Sequence, residues 1–104
     1  MRCTVSSRRV EPGCVIVRAV GAIGPDSAGE FREAVCQALT QDTAVLLLDF
    51  FELSFLSQEG LQTLREAQAR LSSDHGDLVV VGAKGQVADV LQTVGIEDPV
   101  PATR

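Results

Sequence analysis

An α/β domain built on a mixed, mostly parallel sheet is what this sequence predicts, and three observations predict it. Apolar, β-branched runs recur at residues 14–20, 43–49 and 78–81, the pattern of buried strands. Between them lie stretches with apolar residues three and four positions apart, the pattern of amphipathic helices. Ahead of the first run, across a Pro-Gly turn, stands a short polar stretch suited to an edge strand. Strands that alternate with helices become parallel neighbours through right-handed crossovers. The predicted order is β-β-α-β-α-β-α: one domain over residues 1–104, an N-terminal antiparallel strand pair, and three or four helices.

Each element has its own warrant. Residues 3–9 form the polar strand, and Glu11-Pro12-Gly13 the turn, with proline at the second position and glycine where φ turns positive. Residues 14–20 (CVIVRAV) follow as a buried strand, ended by Gly21-Ala22-Ile23-Gly24-Pro25. Asp26 and Ser27 each suit a helix N-cap. Phe31, Ala34, Val35, Ala38 and Leu39 then share one helix face, with Glu30, Glu33 and Gln37 opposite. Residues 43–49 (TAVLLLD) read as a central strand covered on both faces. Residues 50–56 (FFELSFL) read as a loop that carries the chain to Ser57, an N-cap with Glu59 in the first turn of the next helix. Leu61, Leu64, Ala67, Gln68 and Leu71 form its inner face, and Glu66 and Arg70 an exposed pair one turn apart. After the 78–81 strand, residues 86–94 make a short helix with Val87, Val90, Leu91 and Val94 inward and Gly95 as its stop. Residues 96–104 add a short edge strand or fray.

Composition narrows the function. The chain has 104 residues, nine Lys+Arg against fourteen Asp+Glu, and a net charge of −5. Nucleic acids and anionic membranes are approached through basic patches, and the one basic pair here is Arg8-Arg9. A protein partner stays open. No apolar run nears the ~20 residues of a membrane span, and the N-terminus lacks the apolar middle of a signal peptide. Cys3, Cys14 and Cys36 are odd in number and irregular in spacing, so they read as free thiols of a cytoplasmic protein. Cys36 falls about 140° around the helix from Phe31, at about 100° per residue, on the solvent side. That makes it the candidate redox thiol.

Catalytic constellations are missing from the pattern. His75, the single histidine, sits in a Ser-Ser-Asp-His-Gly loop, and no Cys-x-x-Cys or His-x-x-x-His spacing offers a metal site. Gly82-Ala83-Lys84-Gly85 lacks the P-loop spacing and reads as a strand-to-helix turn. Asp49 closes the central strand, where open parallel sheets bind ligands, or it fixes the following loop through its side chain. No cofactor and no metal are expected.

One segment is more specific. Residues 48–64 (LDFFELSFLSQEGLQTL) resemble the signature of the STAS domain family, the anti-sigma factor antagonists: an apolar strand, Asp-Leu-Ser, an apolar-x-Phe-Ile spacer, then Asp-Ser-Ser/Thr-Gly-Leu. Residues 17–24 are similar to the family's strand ending in Gly-x-Leu-Asp, residues 78–82 to its Leu-x-Leu-x-Gly strand, and residues 90–96 to its Val-Leu-x-x-x-Gly-Leu helix end. The four blocks fall in the family's order, and the resemblance covers roughly residues 3–100. The resemblance implies a STAS-like α/β fold and a protein that binds an anti-sigma factor, itself an ATPase-like serine kinase, rather than an enzyme.

The departures from that pattern concern its switch. The family's phospho-acceptor serine falls at Gln58, which has no hydroxyl; the preceding aspartate is Ser57, and the acidic end of Gly-x-Leu-Asp is Gly24. The expected partner-binding set is Ser54, Ser57, Gln58, Glu59, Gly60 and Gly24, with Ser57 a weak substitute acceptor. The expectation is an antagonist without the usual phosphorylation switch, a monomer or weak dimer. The alternative is a STAS subunit or module of a larger assembly, a membrane-transport complex or a stress-signalling particle.

Overall fold

The computed structural model describes residues 2–96 of the chain. Its elements are β1 (Cys3–Glu11), β2 (Cys14–Ile23), α1 (Ala28–Ala38), β3 (Val45–Asp49), β4 (Leu53–Leu56), α2 (Gln58–Ser73), β5 (Asp77–Val81) and α3 (Gly85–Thr93). Among the described residues, the strands make one five-stranded sheet. β1 runs antiparallel to β2, while β2–β3, β2–β4 and β3–β5 are parallel. This is the predicted mixed, mostly parallel sheet with its N-terminal antiparallel pair. The residues expected to fray or form a last strand lie, after Ile96, outside the described ones.

Two expectations about the sheet need correction. β2 does not stop at Val20. Gly21, at φ +104, makes a bulge at which the chain stays in the sheet, and a Cβ there would sit 2.5 Å from the Arg2 carbonyl oxygen. Beyond the bulge, β2 pairs with a strand the sequence pattern hides: Ala22 faces Phe55 and Ile23 faces Leu56. Residues 53–56 are therefore strand, not loop. Four residues of pattern Leu-Ser-Phe-Leu show no clean alternation, and their partner lies about thirty positions back.

The second correction concerns cover. The order β2-β3-β5 steps one way across the sheet, so right-handed crossovers place α1 and α2 on the same face. Val15, Val17, Leu46, Leu48 and Val80 point to that face and are buried against Phe31, Val35, Leu64 and Leu71. Phe31 and Phe50 meet there with ring centroids 6.2 Å apart. On the opposite face, Ile16, Leu47 and Val79 stand side by side across three strands and are half-buried. Among the described residues, helices thus cover β3 on one face; the unbroken Leu-Leu-Leu run is apolar on the other, where its row neighbours shield one another.

Helix details follow the same logic. Cys36 is exposed, as its angle on α1 requires, and Val87 and Leu91 are buried beneath α3 with Val90 and Val94 half-buried. Glu66 does not pair with Arg70 but reaches Arg32 of α1 at 3.0 Å, because α1 and α2 lie against each other. His75 is exposed, in the left-handed region at φ 59 just past α2. Asp49 fixes the following loop by accepting from the Phe51 N–H at 3.2 Å.

Candidate functional site

The far ends of β2 and β4 leave the sheet side by side, and each delivers the chain to a helix. The Ser57 N–H donates to the Ile23 carbonyl at 2.8 Å, which ties the start of α2 to the end of β2. Gly60 makes that approach close. A Cβ there would lie 2.7 Å from Leu56 Cδ1 and 2.8 Å from Ile23 Cγ2, both on buried side chains. The glycine in the first turn of α2 is a packing requirement.

Ser57 is the N-cap that the sequence indicated. Its backbone is extended and its Oγ accepts from the Gly60 N–H at 3.2 Å, so one free donor of the first turn is satisfied. Gln58 and Glu59 follow as the first two helical residues, both exposed, and neither makes a side-chain hydrogen bond among the described residues. Glu59 lies where a carboxylate favours the positive end of the helix dipole. Ser54 is exposed, with its Oγ donating to the Gly21 carbonyl at 2.8 Å.

The loop between β2 and α1 borders this end. Ser27 starts α1, but it does not cap the helix in the expected way. The Ser27 side chain makes no bond to the first turn; its Oγ accepts from the Gly24 N–H at 3.0 Å and donates to the Ala22 carbonyl at 3.2 Å. The N–H groups of Ser27 and Ala28 are satisfied instead by the Gly24 carbonyl, at 3.1 and 2.9 Å. Gly24 is buried, with both backbone groups used inside the loop. Of the six residues expected to contact a partner, Ser54, Gln58 and Glu59 offer exposed side chains. Ser57, Gly60 and Gly24 are buried and shape the surface from beneath.

Sequence reasoning missed a further group that holds this region. The Gln86 side chain, in the first turn of α3, accepts from the Leu56 N–H at 2.9 Å and donates to the Leu56 carbonyl at 2.8 Å. Lys84 Nζ donates to the Phe51 carbonyl at 3.0 Å. No local signal announces contacts between residues about thirty positions apart. Elsewhere, Arg18 pairs with Glu52 and lies 3.9 Å from Asp49. Burial, with help from Glu30, pushes the Cys3 thiol up. The three cysteines are free, and strand register sets Cys3 opposite Gly21 and Cys14 opposite Glu11, far from each other. Among the described residues, no three His, Cys, Asp or Glu side chains gather as a metal site, and no helix is long and apolar enough to cross a membrane.

At this end of the molecule a helix start presents an amide and a carboxylate above buried residues. The fold defines a small α/β domain with a mixed, mostly parallel sheet. The family model described as the Mlab STAS domain matches residues 6–101, and the chain belongs to the STAS domain family. No curated protein matches it in sequence. Among solved structures, it is similar to an anti-sigma factor antagonist from Mycobacterium paratuberculosis, at 20% identity and TM-score 0.80, over 98% of this chain and 87% of that one. It is similar also to the phosphorylated form of the Bacillus cell fate determinant SpoIIAA, at 18% identity and TM-score 0.77, over 93% and 92% of the two chains. A third likeness is to the murine Solute Carrier 26 family member A9 anion transporter, at 19% identity and TM-score 0.66. It spans 84% of this chain and 14% of that much longer one. At these identities the likenesses establish the fold.

Proposed function

We propose that this chain is an anti-sigma factor antagonist that works by binding, without catalysis or a cofactor, and without the usual serine switch. It docks on an anti-sigma factor of the ATPase-like serine kinase type through residues 54–64 and the adjoining 24–28 loop, and so releases a sigma factor in the cytoplasm. Gln58 and Glu59 supply the polar contacts at the centre, and the chain acts as a monomer or weak dimer, without nucleic acid and without touching a membrane itself. The observation that carries this reading is the exposed Gln58 at the first position of α2, directly after a capping serine. It supports docking there, and its amide leaves a kinase no hydroxyl. Ser57 is a poor substitute because it is buried and its Oγ is engaged by the Gly60 N–H.

The test is incubation with serine-kinase anti-sigma factors and ATP, followed by intact-mass measurement and calorimetry. Binding with no added phosphate is expected. Stoichiometric phosphate on Ser57 or Ser54 overturns the loss of the switch, and no binding to any of them overturns the docking reading.

A second reading has its own support. The Solute Carrier likeness shows the same fold as a small part of an anion transporter. A STAS subunit or module of a larger assembly would copurify with a transporter or scaffold instead of an anti-sigma factor, and a pull-down from the source cell separates the two.

A further inference from the structure

Among the described residues, β4 has a neighbour on one side only. Gly21 of β2 pairs with Cys3 of β1 on one flank and with Leu53 of β4 on the other, so β4 continues the column that β3 occupies lower in the sheet. β5 pairs with residues 45–49 of β3 and does not run beside β4. The outer edge of β4 therefore faces a gap where a sixth strand segment would lie. In a strand, the N–H and C=O of one residue point to the same side. Those of Leu56 point into this gap, and Leu56 is buried, so leaving them unpaired is costly.

Gln86 fills the gap. Its side-chain amide gives Leu56 one acceptor and one donor, at 2.9 and 2.8 Å, as a peptide group of a neighbouring strand does. The same turn grips the preceding residues twice more. Lys84 bonds the Phe51 carbonyl, and Gly82, at φ +81, leaves room for the Phe51 ring, since a Cβ there would fall 2.4 Å from Phe51 Cγ. Residues 82 and 84 thus hold segment 51–56 at Phe51, and Gln86 holds it at Leu56, the end next to Ser57.

We infer that Gln86 is a positioning residue: its amide stands in for a missing strand, fixes the Leu56 peptide groups, and so sets where α2 begins and where Gln58 and Glu59 are presented. Its functional meaning rests on the reading of residues 54–64 as a docking segment, but the positioning itself is measurable without any partner.

The experiment is amide hydrogen exchange and amide chemical shifts by NMR on the full chain, comparing wild type, Gln86→Met and Gln86→Glu. Methionine keeps the volume and removes both bonds. In Gln86→Met the Leu56 amide is expected to exchange about fivefold faster, the change expected when a net hydrogen bond of ~1 kcal/mol is lost. The amides of Ser57, Gln58, Glu59 and Gly60 should move in shift, while those of Leu46 and Leu48 stay within about twofold of wild type in exchange. In Gln86→Glu the carboxylate still accepts from the Leu56 N–H but opposes the Leu56 carbonyl. Acidification returns an O–H donor, so the amides of residues 56–60 should titrate toward their wild-type shifts as the carboxyl protonates. Unchanged Leu56 exchange with unmoved shifts at 57–60 in Gln86→Met overturns the inference. Should that variant fail to fold, an acid titration of Gln86→Glu that leaves 56–60 unmoved overturns it equally. Failure to bind any anti-sigma factor bears on the docking reading alone, because none of these measurements contains one.

Discussion

Ser27 and Ser57 occupy matching places, each just past the end of a strand, each directly before a helix, and each only 6% exposed. They do different work. Ser57 has an extended backbone (φ −77, ψ 169), so its Oγ reaches forward to the Gly60 N–H and caps α2. Ser27 has a helical one (φ −107, ψ −3), and its Oγ turns back to hold Gly24 and Ala22. One serine closes a helix start, and the other closes the loop before a helix. Residue type and position in a pattern do not decide between these roles; the backbone angle at one residue does. The consequence is functional geometry: α2 begins abruptly, with Gln58 and Glu59 outward on its first turn, beside a loop folded tightly on itself.

Variants at these two helix starts sharpen the contrast. The largest effect is expected at Gly60→Val. Better intrinsic helix propensity returns less than about 1 kcal/mol, whereas forcing side-chain atoms against Leu56 and Ile23 costs up to about 3 kcal/mol. A net loss of about 2–3 kcal/mol should appear in urea denaturation, and a variant as stable as wild type would show that the two strand ends can part. Ser27→Ala comes next. It leaves the Gly24 N–H and the Ala22 carbonyl short of a partner, a loss of about 1–3 kcal/mol. Its faster amide exchange should centre on Gly24 rather than on the first turn of α1.

Ser57→Ala removes a cap and is expected to cost about 1 kcal/mol, or about 5 °C in Tm for a domain of this size. Here the faster exchange should centre on Gly60, the mirror of the Ser27 result. Gln58→Asp should leave stability within about 0.5 kcal/mol, since a carboxylate suits this end of the dipole. It places charge where the resemblance sets the phospho-acceptor, so the proposed binding to an anti-sigma factor is expected to weaken about tenfold, ~1.4 kcal/mol by calorimetry. Unchanged affinity would take residues 57–60 out of the interface. The smallest effect on the fold belongs to Cys36→Ser, whose exposed side chain caps nothing. We propose Cys36 as the redox-accessible thiol, so mild peroxide should give a dimer band on non-reducing gels in wild type and none in Cys36→Ser.

Much of this molecule was legible in its amino-acid order because local chemistry carries it. The Pro12-Gly13 turn, the inner faces of α1 and α2, the Ser57 cap and the exposure of Cys36 each follow from spacing or side-chain type within a few residues. The family was legible too, because the blocks around residues 17–24, 48–64, 78–82 and 90–96 keep their order. β4 escaped because four residues carry too little periodicity, and because its partner is the part of β2 beyond a glycine bulge. The uncovered face of β3 escaped because an unbroken apolar run reports burial of either kind. Leu47 is shielded by Ile16 and Val79 beside it, not by a helix above it.

By itself, then, the sequence determined the alternation of strands and helices, the helix faces, the cap of α2 and the absence of a hydroxyl at residue 58. These depend on near neighbours along the chain. Only the tertiary structure decided that Gly24 and Gly60 are buried, that Glu66 pairs with Arg32, and that Gln86 holds Leu56. Each of those joins residues far apart in sequence, and their meeting depends on strand register and crossover handedness, which no local window of the chain contains.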